Sequence, residues 1–276
     1  MRVSIFDQYG ALNSAPVFAA IRAGLEQIGI EYTSMDSSAD VAVIWSLLWA
    51  GRMKPNQQIW DLFQSQGKPV IVAEVGMLRR GFTWKLSRVD RGVPYYGQEL
   101  VPNRASQLGL DLKPWTNSGY NIVVACQRSD SEQWSGQPPT AAWLTETSKM
   151  IRRYTDKPIV IRPHPRQRIT DIPGCVIESP QPIPGTYDSF DYNQCLRNAW
   201  AVINHNSGPG SQAILNGVPA FVGSSSLAAP VANLDLSQIE NPLRPDRTQW
   251  IEKIAHTEWT TEEIQTGFPL QRLLLT

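Results

Sequence analysis

The chain has 276 residues, with 25 Lys and Arg balanced by 25 Asp and Glu, so no global field draws it to nucleic acid or to an anionic membrane. Three cysteines, Cys126, Cys175 and Cys195, lack metal-like spacing and predict reduced thiols in place of a disulfide framework. No run approaches the roughly 18 apolar residues of a membrane span, and MRVSIFDQYG begins as a strand and not as a signal segment, so a soluble, cytoplasmic protein is expected.

In chain order, Arg2 to Phe6 reads as a strand, Ala15 to Ile28 as a helix and Val41 to Trp45 as a second buried strand, which is βαβ grammar. Asn56 to Gln66 reads as a helix stopped by Gly67, and Pro69 to Val75 as another parallel-type strand. Pro94 to Ser118 is rich in Pro, Asn and Gly and is expected to link two domains. Beyond it come a strand at Asn121 to Cys126, a helix at Ala141 to Tyr154, a strand at Lys157 to Ile161 and a short helix at Tyr192 to Asn198. Ala201 to Gly223, AVINHNSGPGSQAILNGVPAFVG, predicts a strand, a glycine-rich turn at Asn204 to Gly210, a helix from Gln212 to Leu215 capped by Ser211, and a second strand from Pro219. A helix at Asp246 to His256 follows, then a Thr260 and Glu263 capping box opening a last short helix. The pattern predicts an α/β chain of two Rossmann-like domains, 1–115 and 116–250, with helices over 251–276. Such a pair would bind ligands in a cleft between the carboxyl ends of its sheets.

The candidate chemistry follows from these positions. A helix opening on a Ser/Gly turn aims unpaired N–H groups and its positive dipole end at the loop, so Ser207, Gly208, Gly210 and Ser211 suit a diphosphate; an ordinary strand-to-helix connection is the alternative. Arg162, His164 and Arg166, in a turn stiffened by Pro163 and Pro165, suit a leaving diphosphate, to which His164 as a catalytic candidate could give a hydrogen bond or a proton, or form a solvated basic loop. Glu240 either holds ribose hydroxyls or is a plain surface glutamate. Glu74, an acid within the apolar run VIVAEVGM, is the preferred catalytic base, ahead of Asp7; pairing with Arg79 or Arg80 is its structural alternative. Arg79, Arg80, Lys85, Arg88 and Arg91 set five cations against the single Asp90, interleaved with Phe82 and Trp84. That mixture can hold phosphates and stack a base, or be a solvated loop. The ten tryptophans read mainly as packing, with sugar or base stacking as the functional alternative. There is no Asp-x-Asp, HExxH, paired Cys/His or Walker pattern, so neither a catalytic metal nor kinase chemistry is expected.

IVIRPHPR (Ile159 to Arg166) with NHNSGPGSQAILNGVPAFV (Asn204 to Val222) resembles the C-terminal donor domain of GT-B glycosyltransferases, most closely those related to capsule-polysaccharide transferases. The resemblance implies a GT-B fold, with acceptor binding in 1–115, nucleotide-sugar binding in 116–250 and a C-terminal helix returning to the first domain. It also implies a nucleotide-sugar co-substrate, uridine diphosphate-linked, and no other cofactor. EVGMLRRGFTWK (Glu74 to Lys85), with IENPLRPDRTQW and EWTTEEI, resembles phage-encoded glycosyltransferases of hypermodified DNA bases. That likeness implies transfer to a hydroxymethylated pyrimidine, with double-stranded DNA held by the local basic stretch in the host cytoplasm; inverting transfer would use a base such as Glu74, whereas retaining transfer, the alternative, would not need it. A capsule or surface-polysaccharide transferase and a non-catalytic nucleotide- or DNA-binding module remain the alternatives. The basic stretch favours DNA; the zero net charge favours polysaccharide.

Overall fold

Apolar runs alternating with amphipathic helices build two α/β units in the computed structural model, which describes residues 1–98, 100–186 and 188–275. Unit 1 comprises 1–108, 130–132 and 252–276, and unit 2 comprises 109–129 and 133–251. The boundaries expected from the sequence lie at 115 and 250.

Unit 1 begins with β1 (Arg2–Ile5), α1 (Ala15–Gln27), β2 (Glu31–Ser34), β3 (Val41–Trp45), α2 (Asn56–Ser65), β4 (Val70–Val75), β5 (Trp84–Asp90), β6 (Val93–Tyr95) and α3 (Arg104–Gln107). Unit 2 holds β7 (Asn121–Ala125), α4 (Thr140–Arg152), β8 (Ile159–Arg162), β9 (Val176–Ile177), α5 (Tyr192–Cys195), β10 (Ala199–Asn204), α6 (Gly208–Leu215) and β11 (Ala220–Val222). The chain then runs through α7 (Thr248–Ala255) to β12 (Glu258–Trp259), α8 (Thr261–Gln265) and α9 (Phe268–Leu274) in unit 1.

The unit 1 sheet has the order β12-β5-β4-β3-β1-β2, with β6 paired to β5; β1 to β4 are parallel and β5 is antiparallel to β4. Every residue of β3 is buried, as expected for a parallel strand covered on both faces. Val3, Ile5, Val43 and Trp45 pack with residues of α1, α8 and α9 on one face, while Phe6, Ala42, Ile44 and Val72 meet Trp60 and Phe63 of α2 on the other. The Thr260 and Glu263 capping box forms with both of its bonds. Unit 2 is a parallel sheet of order β11-β10-β7-β8-β9, with Leu144 and Ile151 of α4 in its core.

Three sequence expectations are corrected here. Residues 84–90 of the basic stretch form β5, a strand whose Trp84 and Leu86 enter the core. The expected linker, 94–118, does hold the boundary between the units at 108/109, but it also takes in α3 and the end of β6, because its prolines and glycines only punctuate short pieces of regular structure. Helix α6 starts at Gly208, with Ser207 extended at the N-cap (φ −93°, ψ 177°) and Ser211 buried inside the helix. Pro209, pre-set for a first helical turn, moves the start ahead of the serine that was expected to cap it.

Candidate functional site

In an open parallel sheet, ligands bind outside the carboxyl ends of the strands where the strand order reverses. In unit 2 the chain moves outward from β7 through β8 to β9, then returns to place β10 on the other side of β7, so the reversal lies between β7 and β10. The β10–α6 turn and the residues after β7 therefore occupy that position.

Asn204 organises the turn. Buried at the end of β10, it accepts the Ser207 N–H at 2.9 Å, and its amide donates to Ala125 O (2.9 Å) and Ser207 Oγ (3.0 Å). Ser207 makes no side-chain cap bond, and Gly208, Pro209 and Gly210 form the first turn of α6, so no local side chain covers that helix end. Gly210 is required for packing: a Cβ there would lie 2.9 Å from Val222 Cγ1.

Gln127, buried just past β7, accepts the Asn206 N–H through Oε1 (3.3 Å), while Asn206 Nδ2 donates to Gln133 O (3.3 Å) and Ser225 Oγ (3.1 Å). These bonds fix both amide orientations and leave Gln127 Nε2, a donor, and Asn206 Oδ1, an acceptor, without hydrogen-bond partners among the described residues. His205 stands edge-on to Trp134, with ring centroids 5.3 Å apart, and burial lowers its basicity. Sequence reading missed Asn204, His205, Asn206 and Gln127. The polar run NHNS after an apolar strand was the available signal for the first three; Gln127 had none.

His164 Nδ1 accepts the Arg166 N–H at 3.1 Å, so the proton of the neutral ring resides on Nε2. Arg162 is buried, with its guanidinium paired to Asp191 and Glu178, and Arg166 pairs with Asp188 at 2.7 Å. Both expected phosphate-binding arginines thus face carboxylates of the chain itself. Glu240 pairs with Lys157 (2.9 Å), which precedes β8, so it lies at the amino edge of the sheet, opposite the β10–α6 turn. Thr155 and Lys157 hold its carboxyl below the ordinary value. Because strand direction separates the two edges, Glu240 is removed from the donor set.

In unit 1 the order reverses between β1 and β3, whose carboxyl ends carry Asp7 and Ser46. Asp7 is ion-paired with Arg22. Ser46 adopts φ +63°, a strained conformation for a non-glycine residue, and its hydroxyl lies 3.3 Å from Glu74 Oε1. Glu74 stands opposite Lys85 in the β4–β5 register, with Nζ to Oε2 at 3.3 Å, so an ion pair with Lys85 joins the pairing with Arg79 or Arg80 expected as its structural alternative. Burial opposes the charge on Lys85, yet Tyr96 and Glu74 raise its pKa above the ordinary value.

The expected basic patch is dispersed. Arg79 and Arg80 are exposed before β5 and Arg91 after it, beyond opposite ends of a strand about 20 Å long at ~3.3 Å per residue. Arg79 stacks on Phe82 (4.2 Å), Arg88 binds Asp90 and Leu273 O and stacks on Tyr95 (4.7 Å), and Trp84 is buried against Trp45 (5.7 Å). Antiparallel pairing carries these residues along the sheet, so they do not gather on one surface. Among the described residues there is no group of three or more His, Cys, Asp or Glu that could hold a metal ion, and no helix long and apolar enough to cross a membrane.

No family model matches the sequence, and neither does any curated protein. Among solved structures, the β-Kdo 2,4 transferase of Thermosulfurimonas dismutans KpsC aligns with a TM-score of 0.52 at 11% identity, covering 93% of this chain and 90% of that one. The β-Kdo 2,7 transferase of the same KpsC aligns with a TM-score of 0.53 at 12% identity, covering 97% and 98%. These likenesses establish the fold: a GT-B-like chain of Rossmann-type α/β units.

Proposed function

We propose that the chain is a glycosyltransferase that holds a nucleotide-sugar donor at the β10–α6 turn of unit 2 and delivers the sugar to a carbohydrate hydroxyl. The observation that carries this reading is the helix end at the strand-order reversal, backed by Asn204 and left without a side-chain cap. Its amides and dipole suit a diphosphate. Gln127 Nε2 and Asn206 Oδ1 add one donor and one acceptor beside it. A phosphate offers only acceptors, so Asn206 Oδ1 suits a hydroxyl of the donor.

Glu74 is the proposed base for an inverting transfer, because it stands at the carboxyl end of β4 beside strained Ser46. The GT-B fold shared with two capsule-type Kdo transferases and the dispersal of the basic stretch together favour a carbohydrate acceptor over DNA.

The test incubates the purified protein with labelled uridine, cytidine and guanosine nucleotide sugars and offers oligosaccharides or hydroxymethylpyrimidine DNA as acceptors. Label on an oligosaccharide, lost in Glu74→Gln, is expected. Label on DNA alone would restore the DNA acceptor, and nucleotide binding without any transfer would make the chain a binding module.

A further inference from the structure

Gly208, Pro209 and Gly210 put a poorly self-supporting turn at the start of α6, because glycine backbones are easily displaced and the turn has no side-chain cap. It is held from outside at two points. One is Asn204 on Ser207; the other is Tyr192, whose hydroxyl donates to Pro209 O at 3.0 Å.

Tyr192 opens the single turn of α5, and Asp191 immediately before it accepts the Gln181 N–H (2.8 Å) and the Arg162 guanidinium. Arg162 Nη1 also donates to Glu178 Oε1 (2.9 Å) and Ser179 O (3.3 Å), and Arg166 holds Asp188 farther along the same segment. The two arginines of the RPHPR turn thus clamp Glu178, Ser179, Asp188 and Asp191, and Asp191 leads directly into the tyrosine.

We propose that Arg162 and Tyr192 are positioning residues: Arg162 anchors Asp191, Asp191 sets α5, and the Tyr192 hydroxyl fixes the first turn of α6 for a diphosphate ligand. This inference rests on reading that turn as the donor site. It gives the arginine of the motif a role through protein contacts in place of direct contact with phosphate. Burial raises the phenol pKa well above the ordinary value, so Tyr192 stays a hydrogen-bond donor across working pH.

Tyr192→Phe is the primary variant, since it keeps the ring and removes only the hydroxyl; Arg162→Lys is the second. Calorimetry with inorganic pyrophosphate, free nucleoside diphosphates and nucleotide sugars measures the ligand side. Hydrogen exchange of the Gly208, Gly210 and Ser211 amides in the ligand-free protein measures the positioning. Tyr192→Phe should weaken pyrophosphate and nucleotide binding about 3- to 10-fold, the effect of one lost hydrogen bond. It should also speed exchange at those amides alone and raise the donor KM without changing the acceptor KM. Arg162→Lys should accelerate the same amides.

Unchanged affinity and exchange in Tyr192→Phe would overturn the proposal, as would faster exchange spread across unit 2. A wild-type protein that binds none of the probes would instead remove the donor-site reading, and this inference with it.

Discussion

Glu258→Ala should release the segment between β4 and β5. The Glu258 carboxylate is fully buried and accepts the Met77 N–H (2.7 Å), the Leu78 N–H (3.1 Å) and the Thr83 hydroxyl (2.6 Å). Thr83 can fall back on Arg79 O at 3.2 Å, so alanine strands chiefly the two amides. At about 1–3 kcal/mol for each orphaned group, the loss is about 2–6 kcal/mol. For a chain of this size, that lowers Tm by about 2–4 °C per kcal/mol.

Burial raises the Glu258 pKa above its ordinary 4.5, outweighing the hydrogen bonds from Thr83, Met77 and Leu78. A group raised in the folded state contributes stability that is full below its unfolded pKa and is lost as pH rises through the folded one. Glu258→Gln, whose amide can donate to Thr83 Oγ1 while its oxygen keeps both N–H groups, should therefore match the wild type at pH 4 and gain on it toward pH 7. Urea unfolding at the two pH values measures both variants, and limited trypsin cleavage after Arg79 and Arg80 reports the local release. An alanine variant within about 1 kcal/mol of wild type, with unaltered trypsin cleavage, would refute the reasoning.

Other perturbations have equally definite outcomes. His256 accepts the Val101 N–H at Nε2 (2.7 Å) and lies 2.7 Å from Glu252 O at Nδ1, and burial, with Arg272 and Arg104 nearby, lowers its pKa below 6.5. Its stabilising contribution is present above pH 6.5 and lost as pH falls through the lowered value, so unfolding free energy should drop in acid, with a shallower slope in His256→Asn. Arg104→Met should cost about 3–5 kcal/mol in urea unfolding, because the buried guanidinium serves Glu263, Ala255 O and Glu258 O and stacks 3.7 Å from the Trp259 ring; a loss below about 1 kcal/mol would contradict the role given to it. Asn204→Ala should weaken nucleotide binding by about 10-fold or more in calorimetry, since Ser207 loses both of its Asn204 contacts. Gly76→Ala should be poorly tolerated, because its Cβ would sit 2.3 Å from Thr83 O, and thermal unfolding will register the loss.

Local sequence was sufficient wherever a short-range rule governed the result. The buried run of β3, the Thr260 and Glu263 capping box and the succession of strands and helices in unit 2 follow from apolar periodicity and from contacts within a turn. The Asn204 to Gly210 turn was legible for the same reason, since its glycines, proline and following strand are close together in the chain. Tertiary structure decided what depends on partners distant in sequence. Glu74 meets Lys85 through an antiparallel register, and Arg162 spends its charge on Glu178 and Asp191. Glu240 falls at the amino edge because Lys157 precedes β8, and Gln127 joins the turn because β10 returns beside β7. Residue type and spacing specify which groups are available; the direction and order of the strands decide which of them face one another, and that pairing requires the whole chain.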